Sequence, residues 1–112
     1  MAWEIQYTEA AQKDFSALDG AQKKQVAKAM LKVSENPLPI SEGGYGKPLG
    51  NKGGSNLTGF LKIKLLKLGL RVVYRLLRTE ETMEIIIISI RDDESVYREA
   101  NNRIKKLLEG NE

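Results

Sequence analysis

The chain has 112 residues, with 18 Lys plus Arg against 15 Asp plus Glu and a formal net charge of +3, which suits one domain built on a single hydrophobic core. It contains neither Cys nor His, so disulfides, thiolate chemistry and the usual zinc sites are excluded, and acid–base catalysis would have to run on Lys, Arg, Tyr or carboxylates. The opening residues MAWEIQYTEAAQKDF hold acids and no long apolar run, and nothing approaches the roughly 18 apolar residues of a membrane span, so a soluble cytoplasmic protein without a membrane partner is expected.

Trp3, Ile5 and Tyr7 alternate with Glu4 and Gln6, which predicts a short strand with one apolar face. Thr8 is a good N-cap, and Ala11, Phe15 and Leu18 form the buried stripe of a first helix that Asp19-Gly20 breaks. Val26, Ala29, Met30 and Val33 repeat the stripe in a second helix, which Asn36-Pro37 ends. The two helices are expected to form an antiparallel hairpin. Lys23, Lys24, Lys28 and Lys32 lie elsewhere on the second helix and read as a solvated face.

Residues 37 to 59 hold all three prolines and seven of the ten glycines, and so read as one long loop of the kind that is usually functional or mobile. Leu49, within KPLGN, is its one large apolar residue in mid-course and is expected to tether the loop to the core. Three strands follow, from Phe60 to Leu65, Leu70 to Arg78 and Thr82 to Arg91, in an antiparallel meander with short turns. The apolar run Ile85 to Ile88 suits a buried strand. Val96, Ala100, Ile104, Leu107 and Leu108 stand at helical spacing, predicting a last amphipathic helix able to cover the sheet. The order β-α-α-β-β-β-α describes a small single α+β domain spanning residues 1 to 112.

Lys62, Lys64, Lys67, Arg71, Arg75 and Arg78 fall between Phe60 and Arg78 with no acid among them. Outside that run the count is 12 basic against 15 acidic residues, so a basic patch sits on a mildly acidic body. Such a patch points to a polyanion, most simply nucleic acid. Strand parity puts Lys62 and Lys64 on one face and Leu61, Ile63 and Leu65 on the other, toward the core. If Leu66 meets Gly69 across the turn, Lys64 stands opposite Arg71 and Lys62 opposite Val73. Like charges so placed cost about 0.2 to 1 kcal/mol, a cost that a bound phosphate would offset. Lys67 and Arg75 are weaker candidates for RNA contact. A solvated outer sheet face is the competing reading, although such faces usually mix signs. Farther on, Tyr97 in RDDESVY could anchor the last helix, stack on a base, or move a proton beside a ribose. Asp92, Asp93 and Glu94 suit a helix N-terminus.

The run FLKIKLLKLGLRVVYRL, the ending SIRDDESVYREANNRI and the KPLGN segment resemble, in order and spacing, the RelE/ParE superfamily of toxins from toxin–antitoxin modules, and the RelE branch in particular. The resemblance implies a RelE-like fold and a toxin that enters the ribosomal A site and cleaves messenger RNA without a metal or other cofactor. The ribose 2′-hydroxyl attacks the adjacent phosphate, leaving a cyclic phosphate and a 5′-hydroxyl. Matched by motif position, the catalytic residues would be Lys62, Lys64, Arg71, Arg91 and Tyr97. Lys64 and Arg71 would hold the phosphate, Lys62 or Tyr97 would help deprotonate the 2′-hydroxyl, and Arg91 would favour departure of the 5′ oxygen. The partners implied are the ribosome, messenger RNA and a cognate acidic antitoxin that wraps the basic face or displaces the last helix. The alternatives are a ParE-like gyrase inhibitor on the same fold and a non-catalytic nucleic-acid or protein-binding module.

Overall fold

A computed structural model describes residues 2–52, 55–90 and 93–108, with side chains described outside 50–58, 66, 91–94 and 108–112. Strand β1 (Glu4–Tyr7) gives way to helix α1 (Glu9–Ser16) at Thr8, whose backbone is extended and whose hydroxyl accepts from the Ala11 amide at 3.1 Å. Asp19 then opens α2 (Gly20–Ser34) with a capping box. Its carboxylate accepts from the Gln22 amide at 2.8 Å, and the Gln22 side chain accepts from the Asp19 amide at 3.1 Å. Two amide donors that a helix start would leave orphaned are thereby satisfied. The same dipeptide that stops one helix starts the next.

Five strands form one sheet in the order β1-β5-β4-β3-β2, with β2 at Lys47–Lys52, β3 at Ser55–Leu65, β4 at Leu70–Leu77 and β5 at Thr82–Ser89. The expected meander is present as β3, β4 and β5, antiparallel throughout. To it β1 adds a parallel pairing on β5. The expected long loop is corrected in part. Its second half is a hairpin, in which β2 pairs with β3 and β3 begins five residues before Phe60. Pro, Gly and Asn mask β2 as a strand, because they are depleted in sheet interiors. An edge strand tolerates them, since one row of its backbone groups has no ladder to supply. Leu49 lies between the two register-shifted segments of β2 and is buried, the tether anticipated from its isolation in the sequence.

Each face of the sheet carries its own core. On one face α1 and α2 bring Ala11, Val26, Met30 and Val33 against Leu61, Leu70, Val72, Tyr74, Met83, Ile85 and Ile88. On the other, α3 (Asp93–Leu108) sets Val96, Tyr97, Ala100 and Ile104 against Leu49, Val73, Ile86 and Ile87. The four consecutive isoleucines are therefore divided two and two. A bulge makes this possible: Val73 pairs with Ile87 and Tyr74 with Ile85, leaving Ile86 as the extra residue.

Tyr74 fixes the approach to β2. Its hydroxyl donates to the Pro37 carbonyl at 2.7 Å, and burial raises its pKa well above the usual tyrosine value, keeping it a donor. Gly46 passes so close that a Cβ there would lie 2.4 Å from that hydroxyl.

An ion pair wraps the sheet where β1 runs out. The β1–β5 pairing ends at Tyr7↔Ile85. Beyond it, Asp14 on α1 accepts from the Ile88 amide at 3.0 Å, while Arg103 on α3 donates to the Ile86 carbonyl at 2.9 Å. Arg103 also binds Asp14 through two nitrogens at 2.6 and 3.2 Å and Glu99 at 3.1 Å. Burial opposes the Arg103 charge, but Asp14 and Glu99 outweigh it and raise the guanidinium pKa. Both side chains are about one-fifth exposed, so the pair is only partly screened.

Asp14→Ala is expected to lower stability by about 2 kcal/mol, the size of a few charge-assisted hydrogen bonds less what water restores. Urea unfolding measures it, and a loss below about 0.5 kcal/mol would show the clamp to be ornamental. Gly46→Ala is expected to cost about 1 to 3 kcal/mol through overpacking against Tyr74; with Tyr74→Phe in the same chain, part of that loss should be recovered.

Candidate functional site

The turn between β3 and β4 decides which cations meet. A short 3-10 turn, Leu66–Leu68, leads to Gly69 at φ +66°, a left-handed conformation that suits glycine. The strands then pair Leu65 with Leu70, Lys64 with Arg71, Ile63 with Val72 and Lys62 with Val73. This is the register anticipated from the sequence. Leu61 is buried and Ile63 and Leu65 pack on the α1–α2 core, so Lys62, Lys64 and Arg71 share the opposite face.

Helix α3 completes the cluster. Tyr97 sits in its first turns, 7 % exposed, and packs with Val73 and Ile87 as an anchor to the sheet. Its hydroxyl nevertheless stays within reach of the cations, accepting from the Lys62 ammonium at 2.7 Å. The ammonium lies 5.3 Å from the ring centroid, as a donor placed beyond the hydroxyl would. The contact is thus a hydrogen bond to the ring's polar tip, and a cation–π interaction over the face is the poorer description. Anchor and functional readings of Tyr97 are met by one side chain, because its apolar ring is buried while its oxygen reaches the edge of the packed region.

The remaining cations of the run behave differently. Arg75 is on the same face but pairs across the strands with Glu84, Nε to Oε1 at 2.6 Å. Arg78 grips Glu42 with two nitrogens at 3.1 and 2.9 Å, which holds the exposed Glu42 carboxyl below its ordinary range. Lys67 is exposed on the turn. So the fold gathers Lys62, Lys64, Arg71 and Tyr97 at one end of the sheet and commits Arg75 and Arg78 to acids. Arg91 and Asp92 lie outside the described residues, as do the side chains of Asp93 and Glu94.

Asp14, Glu84 and Arg103 were invisible as site-supporting residues in the sequence. Glu99 and Arg103 at i and i+4 do signal a helix-surface pair, but nothing local points from Arg103 to Asp14, 89 positions away.

With Arg71 and Lys64 side by side and the Lys62–Tyr97 bond next to them, the face can hold an anion and keep a hydroxyl in a defined orientation beside it. Removing either partner of that bond should reveal the coupling. A double-mutant cycle with Lys62→Met and Tyr97→Phe is expected to give about 0.5 to 1.5 kcal/mol of interaction energy in denaturant unfolding. Strict additivity would show that the bond is not held in solution.

No family model matches the chain, and no curated protein matches it by sequence. Solved structures do. The isolated RelE toxin of E. coli is 25% identical over 92% of this chain and 99% of its own, with a TM-score of 0.65. A double arginine-to-alanine mutant of that toxin in the free state is 26% identical over 93% and 99%, at a TM-score of 0.70. The RelBE2 toxin–antitoxin complex of Mycobacterium tuberculosis shares the fold at 23% identity, over 83% of this chain and 95% of the matched one, with a TM-score of 0.65.

Proposed function

By structure the chain is a RelE-type toxin of a toxin–antitoxin module, and from that premise we propose that it is a ribosome-dependent endoribonuclease that cuts messenger RNA in the A site and thereby inhibits translation. The observation that carries the reading is the grouping of Lys64 and Arg71 as cross-strand partners with the Lys62–Tyr97 hydrogen bond on the same sheet face.

The chemistry needs no external nucleophile. The 2′-oxygen of a ribose attacks the neighbouring phosphorus, the bond from phosphorus to the 5′-oxygen breaks, and a cyclic phosphate remains. One proton leaves the 2′-hydroxyl and one arrives at the departing 5′-oxygen, so the step balances without water or metal. Negative charge concentrates on the phosphate oxygens in the transition state. Arg71 offers a planar fork of donors to them, and Lys64 a point charge. The Lys62–Tyr97 pair receives the proton from the 2′-hydroxyl when it has first lost one of its own to solvent, as a neutral amine or a phenolate, which is the minority form at neutral pH. Arg91 is proposed to assist the leaving 5′-oxygen. None of these groups is an efficient base at neutral pH, so positioning by the ribosome has to supply a large part of the rate.

A RelB-type antitoxin accompanies the M. tuberculosis toxin and the E. coli toxin in their complexes. A cognate acidic antitoxin is accordingly proposed for this chain, complementary to its basic face. Its place of action would be the cytoplasm, where translating ribosomes are; no helix among the described residues is long and apolar enough to cross a membrane.

Arg71→Ala is expected to reduce A-site cutting of a translated message by about 100- to 1,000-fold, the range typical of losing one preplaced transition-state donor, with the circular dichroism spectrum unchanged. Primer extension on messages from a reconstituted translation system gives the readout. Full cutting by that variant would remove the phosphate site, and intact messages with the wild-type chain would remove the endonuclease reading itself.

A further inference from the structure

A groove of about 330 Å³ opens at the turn end of the sheet on its α2 side, between α2 and the β3–β4 turn, lined by Gln25, Ala29, Lys64, Leu65, Lys67 and Leu68. It lies where β2 no longer covers β3, since the pairing of those strands ends at Lys47↔Lys62. Three features of the groove bear on what it takes. Its floor is apolar, from Ala29, Leu65 and Leu68. Its rim carries Lys64 and Lys67, and no acid is among the described lining residues. On α2, Lys28 falls within a turn of Gln25 and Ala29, is exposed, and extends the positive rim along the helix.

We propose that this groove is a second nucleotide subsite, which takes one unpaired ribonucleotide flanking the scissile phosphate. The inference rests on the endoribonuclease reading for the strand that occupies it. The base lies on the apolar floor with Gln25 facing its edge, and its phosphate lies against Lys67. Lys64 lines the groove and is also the cross-strand partner of Arg71, so the RNA strand passes round the β3 edge that β2 leaves uncovered, from the face that holds Arg71 and Tyr97 to the α2 side. The volume sits at the lower end of small-ligand sites, roughly 300 to 1,000 Å³, enough for one splayed base and too little for a duplex. Unpaired RNA presents such bases for stacking and edge contacts, whereas the bases of a helix are shut away. The four lysines of α2 are then divided: Lys28 faces the strand, Lys32 lies over the Tyr45 ring at 5.9 Å, and Lys23 and Lys24 keep their plain solvent role.

The test uses the whole folded chain and a fluorescently labelled, nine-residue single-stranded oligoribonucleotide made uncleavable by a 2′-deoxy substitution at the cut position. Lys67→Ala and Gln25→Glu are each expected to weaken binding about tenfold at low salt, with thermal unfolding unchanged, because both residues are exposed. Lys67→Ala should also lower the slope of log affinity against log salt by about 0.7, one phosphate contact on a single strand. A methylphosphonate at the flanking phosphate should erase the Lys67 effect. Unchanged affinity and slope in both variants, or no binding by the wild-type chain, overturns the groove. The two readings separate cleanly. If the variants lose RNA affinity while the wild-type chain leaves translated messages intact, the groove stands and the endonuclease fails; if messages are cut but the variants bind normally, the reverse holds.

Discussion

Everything at the candidate-site end of the sheet depends on how β5 is held beyond the last residue that β1 can pair with. There the strand presents the Ile86 carbonyl and the Ile88 amide to a side with no neighbouring strand, and the Asp14–Arg103 pair satisfies both. A buried backbone group left without a partner costs about as much as a lost hydrogen bond, so the pair does the work of two missing ladder rungs. Because Asp14 comes from α1 and Arg103 from α3, the same contact ties the helix layer of one sheet face to that of the other. The bulge at Ile86 and the ion pair are two parts of one arrangement. The bulge turns an extra carbonyl outward, and the guanidinium meets it.

That clamp governs α3, and α3 carries Tyr97. The helix buries Val96, Tyr97, Ala100 and Ile104 against Val73, Ile86 and Ile87, and at about 25 cal/mol per Å² such side chains contribute most of its docking energy. Apolar packing alone tolerates sliding, because it has no direction. The fork from Arg103 to Asp14 and to the Ile86 carbonyl is directional and fixes the position of the helix along the strand. With that position set, the Tyr97 oxygen falls within 2.7 Å of the Lys62 ammonium. Site geometry on one side of the sheet thus follows from charge placement at its edge.

The strand register was legible in the sequence because two independent signals agreed. Period-two alternation in FLKIKLLKLGLRVVYRL set the faces, and a glycine that could take positive φ set the turn; the pairing of Lys64 with Arg71 followed. Thr8 as a cap and the stripes of the helices were equally plain, since each rests on contacts within a few residues. Strand β2 was hidden, because its reason for being a strand is its partner β3 and its own composition argues for a loop. The parallel strand β1 showed its apolar face but not its neighbour. The fates of Arg75 and Arg78 were hidden as well: a count of charges cannot say that Glu84 and Glu42 will come to meet them. In the candidate site the same rule holds. The grouping of Lys62, Lys64 and Arg71 came from strand parity, while Tyr97 joined them only through a family likeness, because it stands 35 positions from Lys62 and the chain between carries no local signal of contact.

Two of the six cations in the basic run are committed to acids, which narrows its excess of charge to fewer positions. Arg75 and Arg78 each sit beside a carboxylate at 2.6 to 2.9 Å, and at that separation opposite charges cancel most of each other's field at a distance. The other cations of the run cluster at the turn end of β3 and β4, where Lys64 faces Arg71 and Lys67 stands exposed. On the proposed reading, an RNA strand would meet these cations at one end of the sheet. That is also the end where the Tyr97 hydroxyl is held, and any partner able to lift α3 would remove the hydroxyl while leaving the strand cations in place. On the proposed reading, anion binding and hydroxyl placement fall to separate layers of the fold, the sheet for the first and the clamped helix for the second.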